Sequence, residues 1–144
     1  MAVKIGNEYN VWTSATIGGT YARFGGQQDG SLGGTRQTAD ASHKTSGGVS
    51  LKVPGLIDFP IDLAFVADLP DAGGYGVVET AFKNGTTIGV AIRKGGATAT
   101  VTDNVFLCEM YVTALNINFA LNGVVSGSAK FEPAVAPTTN LTLS

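Results

Sequence analysis

The residues with reactive side chains are few, and their spacing suits no familiar catalytic arrangement. His43 is the only histidine, and Asp40, Ser42 and Ser46 lie within three residues of it. A serine triad needs a nucleophile, a histidine and an acid that converge in space, and the nucleophile often lies in a sharp strand-to-helix turn. Here all candidates share one short polar segment without such a turn. His43 and Asp40, three apart on a strand, point to opposite faces, which disfavours a shared metal. We expect His43 to be a solvated strand residue.

Two further candidate sites also favour a structural interpretation. Cys108 is the only cysteine, which excludes an internal disulfide and a four-cysteine metal site. It lies in the largely apolar run VFLCEMYV and is expected to be a buried, inert thiol. The segment GGYGVV, residues 73–78, lacks the downstream Lys-Ser/Thr of a phosphate-binding loop. The sequence therefore predicts no enzyme activity, no cofactor and no metal site.

Composition narrows the class of protein. The chain has 144 residues, the length of one domain (1–144), with 14% charged residues, 44% hydrophobic residues and 20 glycines. A surface this poor in charge suits a protein that is covered by partners. The formal net charge is −2 and the basic residues are dispersed, so tight nucleic-acid binding is not expected. No segment has the pattern of a signal peptide or membrane span, which predicts a cytoplasmic chain without membrane insertion.

The pattern over residues 46–66 predicts a long, half-buried strand pair. Ile57, Phe59, Ile61, Leu63 and Phe65 share one face of an extended chain, which indicates a face packed on the core. On the other face lie Asp58 and Asp62, about 13 Å apart on a strand and thus too far apart for an acid/base pair. They are expected to be solvated, with a subunit contact as the alternative. Pro60 cannot donate a ladder hydrogen bond and predicts an edge strand or a bulge.

The remaining elements follow from local signals. The spacing of Tyr75, Val78 and Phe82, followed by Asn84-Gly85, predicts one short helix over 75–84. Asn122-Gly123 predicts a hairpin with a type I′ turn. Alternating stretches predict strands at 8–17 and from 86 onward, including residues 97–103. The Gly-rich segment 18–35 predicts a long loop or arm, and residues 132–144 predict an extended C-terminal tail. The predicted fold is mainly β, an antiparallel β-sandwich or barrel-like subunit with one flanking helix.

The polar segment RQTADASHKT, residues 36–45, is expected to be an exposed strand that serves as an assembly edge. The alternate positions on one side of this strand and the two carboxylates of the next segment are the predicted assembly residues: Thr38, Asp40, Ser42, Lys44, Asp58 and Asp62.

In this order, the elements resemble the tail tube proteins of long-tailed bacteriophages. The resemblance lies in the polar strand ADASHKTSGG, the segment VSLKVPGLIDFPIDLAF with its "PGL" corner, the stretch AFKNGTTIGVAI, and FLCEMYVTALNINFALNGVVSGSAKFEP. It covers residues 36–132. The chain departs from the usual pattern in the Gly-rich segment 18–35.

The resemblance implies a virion protein that forms hexameric rings, which stack into a helical tube. Strands of six copies would close a β-barrel around a lumen, through which double-stranded DNA passes without specific binding. The implied partners are tape-measure, tail-tip and tail-terminator proteins, and the implied location is the virion tail, with assembly in the host cytoplasm. Asp58 and Asp62 are then candidates for the lumen. The alternative hypothesis is a β-rich virion decoration or receptor-binding module.

Overall fold

The computed structural model of the chain describes residues 9–43, 47–67, 73–119 and 121–137. Most of the chain in these ranges is β-strand, and all paired strands are antiparallel. The elements are β1 Tyr9–Ser14, β2 Ala22–Arg23, β3 Gln27–Leu32, β4 Thr35–Asp40, β5 Lys52–Asp58, β6 Ile61–Val66, α1 Tyr75–Asn84, β7 Thr87–Lys94, β8 Asn104–Phe119 and β9 Val125–Pro133. The mainly β fold with one short helix is thus confirmed.

Seven strands form one sheet in the order β2-β1-β7-β8-β9-β6-β3, and β4 and β5 form a separate two-stranded ribbon. Strand β8 has 16 residues and belongs to both halves of the large sheet. Its first part pairs with β7 as far as Tyr111, and its later part pairs with β9 from Met110 to Phe119. We call β2, β1, β7 and the beginning of β8 the first half-sheet. The end of β8 with β9, β6 and β3 is the second half-sheet.

The register between β8 and β9 shifts between Val112 and Ala114. Such a bulge bends a strand and raises its twist, which lets one strand pass from one layer of a sandwich to the next. The core lies between the two half-sheets. It contains the alternating apolar residues of β6 and β8, of which Leu63, Phe65, Phe106, Cys108 and Met110 are almost fully buried.

Side chains rather than a strand ladder hold the two ends of the large sheet together. The amide nitrogen of Val11 donates to Gln27 Oε1 (2.9 Å), and Gln27 Nε2 donates to the carbonyl oxygens of Val11 (3.2 Å) and Phe24 (2.9 Å). The side chain of Gln27 thus bridges β1 and β3 without a backbone ladder between them. Strand β3 therefore remains the last strand in the order of the sheet.

Helix α1 covers one end of the sandwich. Val78 and Ala81 are buried in the core, and the ring of Tyr75 packs against that of Phe65 with centroids 5.9 Å apart. The helix ends at Asn84 because Gly85 takes the left-handed conformation (φ 66°) and its N–H donates to the carbonyl of Ala81. The predicted bounds 75–84 are confirmed.

Segment 18–35 was expected to be a loop, and this expectation is wrong. It contains β2 and β3, and β3 pairs with β6 along Gln27–Leu32. An edge strand needs mainly backbone hydrogen bonds on one side, so a polar sequence with one glycine forms it without an apolar pattern.

The continuous strand expected across residues 57–65 is divided. Ile61, Leu63 and Phe65 are buried as predicted, but Ile57 is 46% exposed because β5 ends at Asp58 and leaves the sandwich. Pro60 lies in the break before β6, where no ladder donor is required, and its carbonyl accepts from the N–H of Gly33 (2.8 Å). The prediction that Pro60 marks an edge strand or a bulge is therefore wrong, because Pro60 precedes β6 and β6 lies between β9 and β3.

Two local predictions also differ in detail. Residues 96–98 and 101–103 form two 3₁₀ turns rather than a strand, and the second is closed by a capping box between Thr100 and Asp103. Asn122 has φ 61° in the predicted β8–β9 hairpin. The last ladder pair is Phe119 with Val125, so the connection is longer than a two-residue type I′ turn.

The division at Pro60 gives a test of where the core begins. Leu63→Ala should lower the free energy of unfolding of the isolated subunit by about 2–5 kcal/mol, because it opens a cavity in the core. Ile57→Ala should change it by no more than about 0.5 kcal/mol. Urea unfolding at a concentration at which the subunit is monomeric measures both. Equal destabilisation by the two variants would contradict the division.

Candidate assembly surfaces

The β4–β5 ribbon has no buried residue: all six positions of β4 and all seven of β5 are exposed. Apolar side chains lie on it or just before it, and those of Val49, Val53, Leu56 and Ile57 are each about half exposed or more. An isolated two-stranded ribbon is marginally stable in water. Exposed apolar residues on such a ribbon indicate a surface that another protein covers.

The structure places three predicted assembly residues together at the far end of β4. Thr38 and Asp40 lie in β4, and Ser42 follows it. The N–H of Ser42 donates to Asp40 Oδ1 (2.9 Å), and Ser42 Oγ accepts from the N–H of Leu51 (2.7 Å). Hydrogen bonds from the backbone and hydroxyl of Ser42 lower the pKa of the Asp40 carboxyl below its usual value. Ser42 thus closes the ladder where the backbone pairing ends, while Lys44 lies outside the described residues.

Asp58 and Asp62, predicted on one strand, belong to different sheets. Asp58 ends β5 opposite Thr35 in the ribbon. Asp62 is exposed in β6, and its register partners are Ser31 in β3 and Lys130 in β9. The break at Pro60 separates the two carboxylates, so only Asp62 belongs to the outer face of the second half-sheet.

That outer face is polar and carries small side chains. Registers between its strands place Asn116 opposite Ser128, Asn118 opposite Ser126, and Lys130 opposite both Ala114 and Asp62. Asp29 and Ser31 continue the face on β3, next to a shallow depression of about 400 Å³. The face therefore presents amides, hydroxyls and methyl groups, and its charged residues include Asp29, Asp62 and Lys130.

The second half-sheet has a strand edge on each side. Strand β3 is the last in the sheet order, and the ladder between β7 and β8 stops at Thr87 opposite Tyr111. In the described part of the chain, residues 112–119 of β8 consequently have no strand partner on the β7 side. Exposed strand edges bind further strands unless they are protected. Neither the polar sequence of β3 nor the apolar sequence of β8 contains a signal that predicts these two edges.

On the outer face of the first half-sheet, Arg93 lies between two aromatic rings. Its guanidinium carbon is 4.9 Å from the ring centre of Trp12 and 5.1 Å from that of Tyr21, and Arg93 Nε donates to Asn104 Oδ1 (2.8 Å). Burial lowers the pKa of Arg93 and raises that of Tyr21. No sequence pattern predicts this cluster, since Trp12, Tyr21 and Arg93 come together only in the folded sheet.

The described residues contain no arrangement suited to metal binding, and no described helix has the length and apolar character needed to cross a bilayer. Cys108 is fully buried, and desolvation raises the pKa of its thiol to about 11. The thiol donates weakly to the carbonyl of Val135, with sulfur and oxygen 3.2 Å apart. The predicted burial of Cys108 is thus confirmed.

No protein-family model matches the chain, and no curated protein matches it in sequence. Solved structures do match in fold. A chain from the tail of an empty gene transfer agent particle, refined with C6 symmetry, has a TM-score of 0.79 at 16% identity, over 96% of this chain and 99% of that one. The SPP1 tail tube has a TM-score of 0.74 at 17% identity, over 97% and 80%. A chain of the anti-feeding prophage baseplate has a TM-score of 0.69 at 9% identity, with 99% of both chains covered.

These similarities establish a shared fold that spans nearly the whole chain. The fold is that of a tail tube subunit, as the sequence resemblance predicted.

Because the ribbon has no contact with a core, its stability should depend on assembly. In the monomer, backbone amides of β4 and β5 should exchange with deuterium nearly as fast as in an unfolded peptide, whereas those of β6 and β9 should be strongly protected. On assembly the ribbon amides should become protected by at least about a hundredfold. Hydrogen exchange with mass spectrometry measures both states. Strong protection of the ribbon in the monomer would contradict its independence from the body.

Proposed function

We propose that the chain is the subunit of a phage-like tail tube, in which hexameric rings stack to form a conduit for double-stranded DNA. The observation that carries this proposal is the pair of strand edges on the second half-sheet, β3 on one side and residues 112–119 of β8 on the other. The sixfold ring is inferred from the C6 symmetry of the gene transfer agent tail.

The two edges match in length and direction. Strand β3 has six residues, and the free part of β8, residues 112–119, is two residues longer. Each copy contributes four strands in the order β8-β9-β6-β3, with alternating direction. Because four is an even number, β3 of one copy runs antiparallel to β8 of the next. Six copies then close a continuous antiparallel barrel, which removes every unpaired edge from the inner sheet.

The polar outer face of the second half-sheet suits the lumen of that barrel. It presents Asp29 and Asp62 against the single positive charge of Lys130. DNA is retained by basic groups that replace its counterions, and a nearly neutral, slightly acidic wall releases few of them. The DNA therefore moves along this wall without a specific site.

The β4–β5 ribbon extends from the single domain, 1–144, towards neighbouring copies. Segment 18–35 instead belongs to the sandwich through β2 and β3, and the beginning of the predicted C-terminal tail 132–144 is held on β8, where the N–H of Ala134 donates to the carbonyl of Glu109 (2.9 Å). Thr38, Asp40, Ser42 and Asp58 belong to the ribbon surface, Asp62 belongs to the lumen, and the predicted assembly residue Lys44 lies outside the described residues. In this role the chain is a structural protein of the virion tail rather than an enzyme. Tape-measure, tail-tip and tail-terminator proteins are its further partners, and assembly takes place in the host cytoplasm.

Negative-stain electron microscopy of the purified chain over a concentration series tests the proposal. We expect rings and stacked tubes with a central channel. A dispersed monomer or a discrete trimer throughout the series would contradict tube formation and favour a decoration or receptor-binding module.

A single substitution in β3 tests the edge. The N–H of Gly33 donates to Pro60, so the odd-numbered residues of this end of β3 face β6, and the N–H of Gly30 points outwards. Gly30→Pro removes that donor and should give a folded subunit without rings. Gly30→Ala is the matched control, since its Cβ meets only ordinary contacts, the nearest at 3.7 Å. Normal rings from the Gly30→Pro variant would show that β3 is not the ring edge.

A further inference from the structure

The tip of the β8–β9 hairpin is an exposed apolar surface. We define the hairpin tip as residues 119 and 121–125, where the exposed fractions are 79% for Phe119, 94% for Leu121 and 65% for Val124. No charged residue lies between Glu109 and Lys130, so no charge protects the tip. An apolar surface that projects on a hairpin loop in this way marks a contact with another protein.

A groove lies at the end of the sandwich that α1 does not cover. It is a cavity of about 630 Å³ between the beginning of β1, the length of β3 and the beginning of β8. Its apolar lining includes Val11, Leu32, Ile92 and Phe106, and its polar lining includes Asn10, Gln28, Asp29 and Ser31. A volume of this size falls within the range of pockets that bury a small ligand, about 300–1,000 Å³.

The hairpin tip and the groove lie at opposite ends of one strand. Val105 and Phe106, near the beginning of β8, line the groove, whereas Phe119 ends β8 at the hairpin tip. At about 3.3 Å per residue, the strand between them is roughly 50 Å long along its contour. The hairpin tip therefore cannot reach the groove of its own chain. A contact between the two surfaces is heterologous, and a heterologous contact propagates from copy to copy.

The direction of this contact differs from that of ring closure. Within a ring, copies join sideways, along the hydrogen bonds between β3 and β8. Strands of a barrel are tilted from the barrel axis by only about 35–45°, so surfaces at strand ends face the copies above and below. The hairpin tip lies at the end of the sandwich that holds α1, and the groove lies at the other end.

We propose that the hairpin tip of each copy inserts into the groove of a copy in the adjacent ring, with Leu121 as the central anchor. This inference rests on the proposed tube and identifies an axial contact within it. The occupant is a second copy of this chain because the hairpin tip and the groove are both apolar, differ in shape, and are present once on every subunit.

Charge at Leu121 tests the docking in the full-length protein. Leu121→Asp should still form rings, but the concentration at which tubes appear should rise at least about tenfold, because a carboxylate loses its hydration when it is buried against the apolar part of the groove. Val101→Asp is the matched control, because Val101 is also an exposed aliphatic residue but lies on a 3₁₀ turn away from the hairpin tip. This variant should assemble as the wild type does. Gln28→Lys, which places a cation in the lining of the groove, should restore tube growth when combined with Leu121→Asp.

The outcomes of this comparison distinguish a failure of the proposed function from a failure of the docking alone. If the wild-type chain forms no tubes in the same assay, the proposed function fails. If the wild type and Leu121→Asp form tubes equally well, or if the variant loses its rings as well, only the docking is wrong.

Disulfide trapping tests the pair directly. A chain with both Leu121→Cys and Gln28→Cys, oxidised as tubes, should give crosslinked products that extend beyond six subunits on a denaturing gel. The native Cys108 is buried and does not interfere. Chains with either substitution alone should give no ladder. Products that stop at six would place the contact within a ring, and the absence of crosslinks in normal tubes would indicate another occupant, such as residues 1–8 of the same chain. Either result would overturn the docking.

Discussion

Strand β8 has to hydrogen-bond with two layers at once, and the rest of the molecule follows from this requirement. Neither neighbour is as long as β8: β7 accompanies its first half, and β9 accompanies its second half. The bulge after Val112 turns the strand from one layer into the other, so the apolar sides of both layers meet around Phe106, Cys108 and Met110. The same mismatch in length leaves the far part of β8 with an unpaired edge.

The apolar residues lie in two different environments. Those of β6, β8, β9 and α1 form one core, whereas those of the ribbon and the hairpin tip lie in solvent. A monomeric protein rarely exposes so much apolar surface at projecting positions. In the proposed tube these surfaces are covered, which accounts for the low charge content, and the polar face of the second half-sheet remains in contact with water.

Much of the fold could be predicted from the sequence because its signals are local. Alternation predicted β1, β7 and β8, and the glycine after Asn84 predicted the end of α1. Contacts between distant segments could not be predicted. Ile57 and Ile61 share one alternating pattern, yet a break at Pro60 sends them to different sheets. The polar sequence of β3 gives no sign that β6 holds it as an edge.

The sequence predicted the kind of assembly surface, an exposed polar strand, but not where its residues lie in the fold. A polar, exposed strand with Thr38 and Asp40 is present, but it pairs with β5 as a separate ribbon. Asp62 was grouped with Asp58 because they are four residues apart in sequence, although the fold separates them. The edges of β3 and β8 have no residue-type signal, since an edge is defined by which strand is missing beside it.

The ribbon's separation from the core has a consequence for how the protein can vary. A substitution in β4 or β5 replaces no buried side chain of its own subunit. Natural selection therefore acts on this segment through the surface that it meets in another molecule. The ribbon can therefore change together with that surface while the core of the sandwich stays the same.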